Sequence, residues 1–463
     1  MFQPLKLIKL LLEVEKMNLE NLLKFAEVNG ANQCELFIYQ DKIISTSISI
    51  EGRMRISSTS SMGVGIRVIV NGVEGFSYVS NLSRDYIEKS ILNAIVNARR
   101  AGRKLKSLPT HSQSPHKLDI YHEDLEGISE DELFKNVKNV FDKASKYNGL
   151  GRIMSFNSSI RIVKWSLINS LGLNFEVKES HASNNFSVMA LKNNQMAIYS
   201  DFIYDRKSID IDITLNKIYE SLKYVEKCIP KEPIESGRYQ ALIGPRALVS
   251  ILSYTLYPAL TSSFHPRILK PGIQLGSENF TLIEDPLNPE NPGACPIDHE
   301  GTIRNLKSII EKGTLKTLLY DHYYAENENT ISTGNGFRTP LSTWPRLTKP
   351  YQATPKPQPR SLQIKHGTKS IDELINQIER GILIEEVIGA HGADPASGRF
   401  TVTASLAFKI EDGAITKPIK HATITGNIRE LLNLIEASSN IKQVQNTIAP
   451  TILIPEINVA GEK

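Results

Sequence analysis

The chain has few cysteines and no long apolar segment. Its 463 residues include three cysteines, Cys34, Cys228 and Cys295, and no two of them form a C-x-x-C pair. Such a sparse and odd set excludes a disulfide-stabilised scaffold and favours a reducing compartment. No stretch approaches the roughly 20 apolar residues that a membrane-spanning helix requires. We therefore expect a cytoplasmic protein without a membrane partner.

Concentrated basic charge is also lacking. The formal net charge is +4 and the pI is about 8.6, which is a small surplus for a chain of 463 residues. No segment combines clustered Lys and Arg with interleaved aromatic residues, as a nucleic-acid groove would. The sequence therefore predicts no nucleic-acid partner.

Several catalytic motifs are missing. The sequence contains no Gly-Lys dipeptide, so it has no Walker A loop, and it contains no G-x-S-x-G nucleophile elbow. His122-Glu123 and His299-Glu300 begin like a zinc-peptidase helix, but neither histidine is followed four residues later by a second histidine. These absences argue against a P-loop nucleotidase, a serine hydrolase and a self-contained zincin.

The residues that are present predict an α+β class with several domains and mostly antiparallel sheets. A chain of this length exceeds one hydrophobic core, since domains usually span about 100–200 residues. Asn71-Gly72 between β-branched runs predicts a two-residue hairpin. Ser370 with Glu373 predicts a capping box for a helix that ends at Gly381. The predicted units are an N-terminal extension helix (1–16), an N-terminal α+β domain (17–105), a central domain (118–228) and a C-terminal domain (233–463).

Three further patterns predict elements around the domain boundaries. A helix is expected from about Ser83 to Arg100, and consecutive antiparallel strands are expected from about residue 153 to residue 213. A strand at 239–243 is followed by Gly244-Pro245, which opens a helix. Pro258 should end or kink that helix, because proline has no N–H to donate.

Four segments, taken in order, resemble the TldD/PmbA family, once labelled modulators of DNA gyrase. Each segment alone is a weak signal, but their order and spacing cover nearly the whole chain. They are Gly63-Val64-Gly65-Ile66-Arg67-Val68 with Gly72 and Gly75-Phe76-Ser77; Asp298-His299-Glu300-Gly301-Thr302 with Lys312-Gly313-Thr314-Leu315; Ser332-Thr333-Gly334-Asn335-Gly336 with Arg346-Leu347-Thr348; and Ser397-Gly398-Arg399-Phe400 with Ile410-Glu411-Asp412-Gly413, Pro418 and Thr425-Gly426.

The resemblance implies that this chain lacks the family's metal site. In catalytic members a helix after the strand and the Gly-Pro carries His-Glu-x-x-x-His, and a later cysteine completes the zinc ligands. Here Ser253, Tyr254 and Pro258 occupy those three positions, and no cysteine follows Cys295. The chain is therefore expected to contribute no catalytic residue, no metal ligand and no cofactor, the zinc being held by a TldD-like partner.

This pattern is similar to the PmbA or TldE type of subunit. Such a subunit pairs with a TldD-like metalloprotease subunit, or with itself, and helps to enclose unfolded peptides in a chamber. An extended peptide would add as a strand to a sheet edge in that chamber. Two alternatives remain open: a non-proteolytic assembly subunit of the gyrase-modulator type, and a hydrolase with an unrecognised metal site.

Five residues are candidates for substrate binding. Asp298 and Glu300 could position a substrate amide, and Gly334, Asn335 and Gly336 could hold a peptide carbonyl or an anion with their N–H groups. The alternative for both segments is a tight turn in which side chains cap the backbone and glycine supplies a positive φ. A hidden metal site would have to draw on Cys295, His299, His322 and Glu326, whose spacing does not require them to meet.

Overall fold

The computed structural model describes residues 19–110, 114–264, 268–338 and 348–461. The predicted N-terminal extension helix (1–16) and Arg346-Leu347 of the third family segment lie outside these ranges. The helices are α1 (Leu19–Val28), α2 (Arg84–Ala101), α3 (Glu123–Gly127), α4 (Glu130–Ala144), α5 (Ile211–Lys227), α6 (Pro245–Tyr254), α7 (Leu256–Ala259), α8 (His322–Asn327), α9 (Ile371–Ile375) and α10 (Ile428–Leu432), with short 3₁₀ turns at Pro350–Gln352 and Ala390–Gly392.

The strands run through the whole described chain. They are β1 (Gln33–Ser49), β2 (Met54–Val70), β3 (Val73–Val79), β4 (Arg103–Lys104), β5 (Gly151–Asn169), β6 (Asn174–Lys192), β7 (Gln195–Asp205), β8 (Gly237–Ile243), β9 (Leu282–Glu284), β10 (Lys307–Glu311), β11 (Thr314–Leu315), β12 (Gly336–Phe337), β13 (Lys356–Pro357), β14 (Leu362–Ile364), β15 (Arg380–Ile388), β16 (Arg399–Glu411), β17 (Ala414–Pro418), β18 (Ala422–Asn427), β19 (Glu436–Val444) and β20 (Thr447–Ala460). The predicted α+β class with mostly antiparallel sheets is confirmed.

The first half of the described chain forms one antiparallel sheet with the strand order β4-β3-β2-β1-β5-β6-β7. Asn71 and Gly72 both have positive φ (51° and 76°), so the predicted hairpin between β2 and β3 is confirmed. Strand β1 pairs with β5 from Glu35–Asn169 to Ser49–Ser155, so this sheet includes strands from both the 17–105 and the 118–228 segments. The domain boundaries themselves stay predictions.

Helices cover one face of this sheet. Helix α2 begins after Ser83 and buries Ile87, Ile91 and Ala94 against β2 and β3, as its periodicity predicts. Helices α4 and α5 bury Val137, Phe141, Ile218 and Leu222 beside the long strands β5 and β6, among other residues. Each helix packs its apolar side on the sheet and leaves its polar side in solvent.

The expectation of strands as far as residue 213 is wrong at its end. The last strand, β7, stops at Asp205, and helix α5 begins at Ile211. Asp210 caps this helix, because its Oδ1 accepts hydrogen bonds from the N–H groups of Asp212 (2.6 Å) and Ile213 (3.1 Å). An N-cap aspartate before an apolar periodic segment is a helix start signal that outweighs the β-branched residues around it.

The C-terminal part is built on a second sheet with the order β11-β10-β9-β14-β20-β18-β16-β15-β8. Strand β20 pairs with both β18 and β8, which closes β8, β15, β16, β18 and β20 into a ring. The pairs β8–β15 and β14–β20 are parallel. Helix α6 follows β8 directly and lies in the largest apolar cluster of this part, through Ala247, Leu248 and Ile251 among others.

Two predicted helix ends differ in position from the structure. The capping box of Ser370 and Glu373 is confirmed, but helix α9 ends at Ile375 and Gly381 lies in β15. The expected effect of Pro258 is confirmed as a break between α6, which ends at Tyr254, and α7, which begins at Leu256. The break falls one turn before the proline because Pro258 has no N–H for the Tyr254 carbonyl. None of the helices in the described ranges is long and apolar enough to cross a membrane.

Candidate functional site

The two loops that carry the predicted substrate-binding residues lie side by side. Asp298 Oδ1 accepts hydrogen bonds from the N–H groups of Glu300 and Thr302, both at 2.9 Å, and its Oδ2 accepts one from Gly336 at 2.8 Å. His299 N–H in turn donates to the Gly336 carbonyl at 3.0 Å. The Asp298 carboxylate therefore closes its own turn and ties it to the glycine-containing loop, as the turn alternative describes.

Glu300 belongs to a buried ionic network that joins the first sheet to loops of the C-terminal part. Its Oε1 accepts a hydrogen bond from Arg67 Nη1 at 2.9 Å, and its Oε2 accepts one from the His322 N–H at 2.8 Å. Arg67 also binds Glu35 through Nε and Nη2, both at 2.7 Å, and Arg338 Nη2 binds the same carboxylate at 2.6 Å. These four side chains are fully buried, so their charges are balanced by one another rather than by water.

The network shifts the pKa values of its members in opposite directions. Burial alone would lower the pKa of the Arg67 guanidinium, but the carboxylates of Glu35 and Glu300 outweigh it and raise that pKa well above the usual range. Burial would likewise raise the pKa of Glu300, but Arg67 lowers it. Asp298 forms no ion pair within the described ranges, and burial followed by the charge of Glu300 raises its pKa to about 7.

Asp321 is a buried acid that the sequence analysis missed. It caps α8, since its Oδ1 accepts a hydrogen bond from the Tyr324 N–H at 2.8 Å, while its Oδ2 is buried and has no hydrogen-bond partner among the described residues. Burial, and then the nearby charge of Glu300, raise the pKa of Asp321 to about 8. Asp before a short His-Tyr-Tyr helix is a capping signal, but nothing local indicated that the carboxyl would be buried.

Asn335 is held entirely by internal contacts. Its Nδ2 donates to Glu284 Oε1 and Oε2 at 3.0 and 2.9 Å and to the Gln358 carbonyl at 2.9 Å, and its Oδ1 accepts from Lys307 Nζ at 3.1 Å. Burial alone would raise the pKa of Glu284, but Lys307 and Arg304 lower it to about 2. The side chain of Asn335 therefore stabilises a second buried charge cluster.

The three N–H groups of the predicted anion-binding loop are also occupied. Gly334 donates to Ser332 Oγ at 3.2 Å, Asn335 to the Tyr320 carbonyl at 3.4 Å, and Gly336 to Asp298. Gly334 has a φ of 72°, which glycine adopts without strain. The structure gives these residues a role in shaping the loop, and direct contact with a peptide stays a prediction.

An open cleft of about 340 Å³ lies beside this loop. It combines aliphatic and aromatic walls with several hydroxyl groups, and Ile331 at its margin is 83% exposed. The run Thr330-Ile331-Ser332-Thr333 is the sequence signal for it, but the walls come from separate segments. The lining residues are Ile303, Asn305, Lys307, Thr317, Tyr320, Thr330, Ile331, Ser332 and Thr333.

Helix α6 presents no metal-binding chemistry at the three positions that match the family's zinc motif. Ser253 Oγ donates back to the Val249 carbonyl of its own helix at 2.7 Å. Tyr254 is half-buried against the C-terminal core, and Pro258 lies in α7 beyond the break. Zinc sites in proteins are built from thiolate, imidazole and carboxylate ligands, so a hydroxyl, a phenol and a pyrrolidine ring do not fit the ion.

The residues considered for a hidden metal site are engaged elsewhere. His322 Nε2 lies 2.9 Å from the Ser107 carbonyl, and Glu326 accepts a hydrogen bond from the Lys106 N–H at 2.8 Å, so both hold the 105–108 loop. His299 is packed between aromatic rings, and burial lowers its pKa well below the usual value. In the described part of the chain, no three His, Cys, Asp or Glu side chains come together closely enough to hold a metal ion.

Comparison with known proteins places these features in context. Residues 236–461 match the protein family described as "PmbA/TldA metallopeptidase C-terminal domain". Residues 35–102 match the family described as "PmbA/TldA metallopeptidase domain 1". The chain is 26% identical to the uncharacterized protein MJ0231 of Methanocaldococcus jannaschii, over 94% of this chain and 98% of that protein. It is 25% identical to a metalloprotease PmbA homolog of Buchnera aphidicola from Acyrthosiphon pisum, over 97% and 98% of the two chains.

A solved structure extends the similarity to the fold. The crystal structure of TldE from Thermococcus kodakarensis superposes on this chain with a TM-score of 0.85 and 25% sequence identity. The match covers 96% of this chain and the whole of the other. The same architecture therefore extends from the antiparallel N-terminal sheet to the ring of C-terminal strands.

Proposed function

The chain belongs to the TldD/PmbA family, and from that premise we propose that it is the metal-free subunit of a cytoplasmic peptide-degrading or peptide-processing metalloprotease. In this proposal a TldD-like partner supplies zinc, the attacking water and the general base. This chain supplies part of the wall that encloses unfolded peptides. The free, buried thiols of Cys34, Cys228 and Cys295 fit a reducing compartment.

The observation that carries the proposal is the chemistry of helix α6. Metal-assisted hydrolysis needs imidazole or carboxylate groups that hold the ion, and a base that accepts a proton from its bound water. The Ser253 hydroxyl donates a hydrogen bond within its own helix, Tyr254 packs against the core, and the helix breaks before Pro258. A chain that keeps the family scaffold but has this helix is better suited to a supporting role than to cleavage.

The ionic network favours a rigid wall. Arg67 and Glu35 belong to the first sheet, whereas Glu300 and Arg338 belong to the C-terminal part, and all four are buried together. Separating the two parts would leave these charges unpaired in a poorly hydrated environment, which is strongly unfavourable. We infer that the two parts move as one body and keep a fixed position relative to a partner.

Reconstitution tests the proposal. The purified chain should contain less than about 0.1 equivalent of zinc and should leave unfolded peptides intact, yet it should increase peptide cleavage several-fold when mixed with a TldD-like subunit. A partner whose motif glutamate is replaced by glutamine is the matched control and should give no cleavage in the mixture. Chelator-sensitive peptidase activity of this chain alone would overturn the proposal.

A further inference from the structure

One half of the first sheet carries a polar face. The helices pack on the opposite face, and the C-terminal part packs on this one as far as the row of Val163 and Trp165. Farther along, towards the turn between β1 and β2, the side chains on this face are half-buried or exposed. The strand register aligns them in three rows: Ser57, Ser45, Ser159 and Ser183; Arg55, Ser47, Asn157 and Asn185; and Ser49, Ser155, Ser187 and Ser200.

Two cations lie at the inner end of this polar face. Arg161 occupies the next row on β5, and Lys349 reaches the same place from the segment before the 3₁₀ turn Pro350–Gln352. Arg161 Nη2 lies 3.2 Å from Asp41 Oδ2, and Lys349 Nζ lies 3.3 Å from each oxygen of that carboxylate. Asp41 is buried, whereas the side chains of Arg161 and Lys349 are 32% and 36% exposed. One acid therefore faces two cations that both reach the surface.

The neighbouring ionisable groups do not remove this surplus of positive charge. Glu179, on β6, pairs with the buried Arg206 at 3.7 Å. His181 Nε2 lies 3.4 Å from Glu179, but burial lowers the pKa of His181 to about 4, so its ring is neutral near pH 7. The place where Arg161 and Lys349 meet thus favours an anionic ligand.

Both cations keep hydrogen-bond donors for such a ligand. A guanidinium carries five N–H groups and an ammonium three. Arg161 Nη2 donates to Asp41 and to Tyr39 Oη, whereas Nη1, with two N–H groups, makes no hydrogen bond to the described residues. The contacts of Lys349 at 3.3 Å are long for charge-assisted hydrogen bonds, which are usually about 2.7–2.9 Å. A second carboxylate can therefore be bound without displacing Asp41.

We propose that Arg161 and Lys349 bind a carboxylate of an unfolded peptide, either its C-terminal group or the side chain of an Asp or Glu. The inference rests on the proposed function and names the part of the substrate that this chain recognises. The residues next to the carboxylate would lie across the polar rows. Ser hydroxyl and Asn amide groups both donate and accept hydrogen bonds, so they suit the N–H and C=O groups of any peptide sequence.

The chemistry of the face favours a peptide over a folded partner. A stable interface between folded proteins buries about 1,200–2,000 Å² around an apolar core. The three rows contain no apolar side chain, and Arg55 is their one charged residue. A flexible peptide needs no such core, because its backbone groups are polar along its whole length.

Three peptides tested on the unaltered chain show whether a carboxylate is recognised. The first is an unstructured nine-residue peptide with a free C-terminus and no Asp or Glu, the second is its C-terminal amide, and the third is that amide with one central Asp. In isothermal titration calorimetry we expect the second peptide to bind at least about tenfold more weakly than the first or the third. Preference for the first assigns the site to the C-terminus, and preference for the third assigns it to an acidic side chain. Equal affinities, or no binding of any peptide, would overturn the inference.

Substitution of the cations tests the residues themselves. Lys349→Met and Arg161→Gln should each weaken binding of the preferred peptide at least about tenfold and leave that of the plain amide unchanged. K349M keeps the Arg161–Asp41 pair, so its fold is the less perturbed of the two. Lys164→Met is the matched control, with less than about twofold effect. Lys164 is 34% exposed and pairs with Glu126 on the opposite face of β5, so this variant loses the same charge at similar exposure.

The outcomes separate this site from the proposed function. Wild-type carboxylate preference in folded K349M and R161Q would refute the site, even if these variants no longer assembled with a TldD-like subunit, because the cations would then be a subunit contact. A wild-type chain that prefers carboxylate peptides but never restores cleavage supports the site, and only the proposed function fails. Restored cleavage without any carboxylate preference refutes the site and leaves the proposed function standing.

Discussion

The buried pair Arg67–Glu300 offers a direct test of how the two parts of the chain are held together. Both side chains are fully buried, and Arg67 Nη1 lies 2.9 Å from Glu300 Oε1. Arg67 Nη1 also lies 3.4 Å from Glu74 Oε1. Without Arg67, Glu35 still binds Arg338 and Glu74 still binds Arg103, but among the described residues Glu300 is left with the His322 N–H as its hydrogen-bond donor. Removal of one member of a buried pair costs about 3–5 kcal/mol, because the other charge is left without a counter-ion.

We therefore predict that Arg67→Met lowers the free energy of unfolding by about 3–5 kcal/mol. Glu300→Leu should cost less than Arg67→Met, because Arg67 keeps Glu35 and Glu74 as counter-ions. The double variant should cost at least about 1 kcal/mol less than the sum of the two, because Glu300 is no longer left as an unpaired buried charge when Arg67 is absent. Urea denaturation monitored by tryptophan fluorescence measures all three values, since Trp165 lies in the core beside His299.

An exposed pair provides the control for this cycle. Lys138 and Asp142 lie 3.1 Å apart with side chains that are 50% and 54% exposed, so Lys138→Met should change stability by less than about 0.5 kcal/mol. If Arg67→Met changes stability as little as this control, or if the costs of Arg67→Met and Glu300→Leu simply add, the network does not hold the first sheet to the C-terminal part in the way described.

Three further predictions concern the same region. The pKa of Asp321 is raised from the ordinary 3.8 to about 8, so the folded protein binds the proton of this carboxyl more tightly than the unfolded chain does. The resulting stabilisation is present in full below about pH 4 and is lost as the pH rises toward 8. Asp321→Asn should therefore flatten the pH dependence of Tm between pH 4 and 8 and raise Tm at pH 8 by at least about 2 °C in a calorimeter, and an unchanged slope would contradict this. Asn335→Ala should lower the free energy of unfolding by about 2–4 kcal/mol in urea titrations, because Glu284 loses two hydrogen bonds while it stays buried; a loss under about 1 kcal/mol would refute it. Ile331→Ser should leave stability within about 0.5 kcal/mol, since that side chain is 83% exposed, but should reduce peptide cleavage by the reconstituted pair; unchanged cleavage would exclude the cleft from the chamber.

Several elements could be predicted because their signals are local. The Asn71-Gly72 turn and the Ser370 capping box depend on the backbone preferences of neighbouring residues, and both occur where expected. The start of α5 at Ile211 carried an equally local signal in Asp210, but the β-branched residues around it favoured a strand. Gly381 also misled, because a glycine after an apolar periodic segment can end a helix or lie within a strand.

The candidate site was predictable only in part. The order of the family segments indicated that the Asp298 and Gly334 loops matter, and the structure brings them into contact. Their internal hydrogen bonds could not be anticipated, because every donor and acceptor involved has more than one possible partner in the sequence. The cleft beside Ile331 was missed for a similar reason, since its walls come from segments that are separate in the chain.

The sequence by itself determined the turns, the helix caps, the family resemblance and the replacement of the zinc motif by Ser253, Tyr254 and Pro258. These follow from residue identity and short-range backbone geometry. Only the tertiary structure decided that Arg67 meets Glu300 across 233 residues and that the Asp298 carboxylate binds the Gly336 N–H. Contacts between distant segments depend on how the whole chain packs, because two side chains far apart in the sequence meet only when the elements that carry them are packed together.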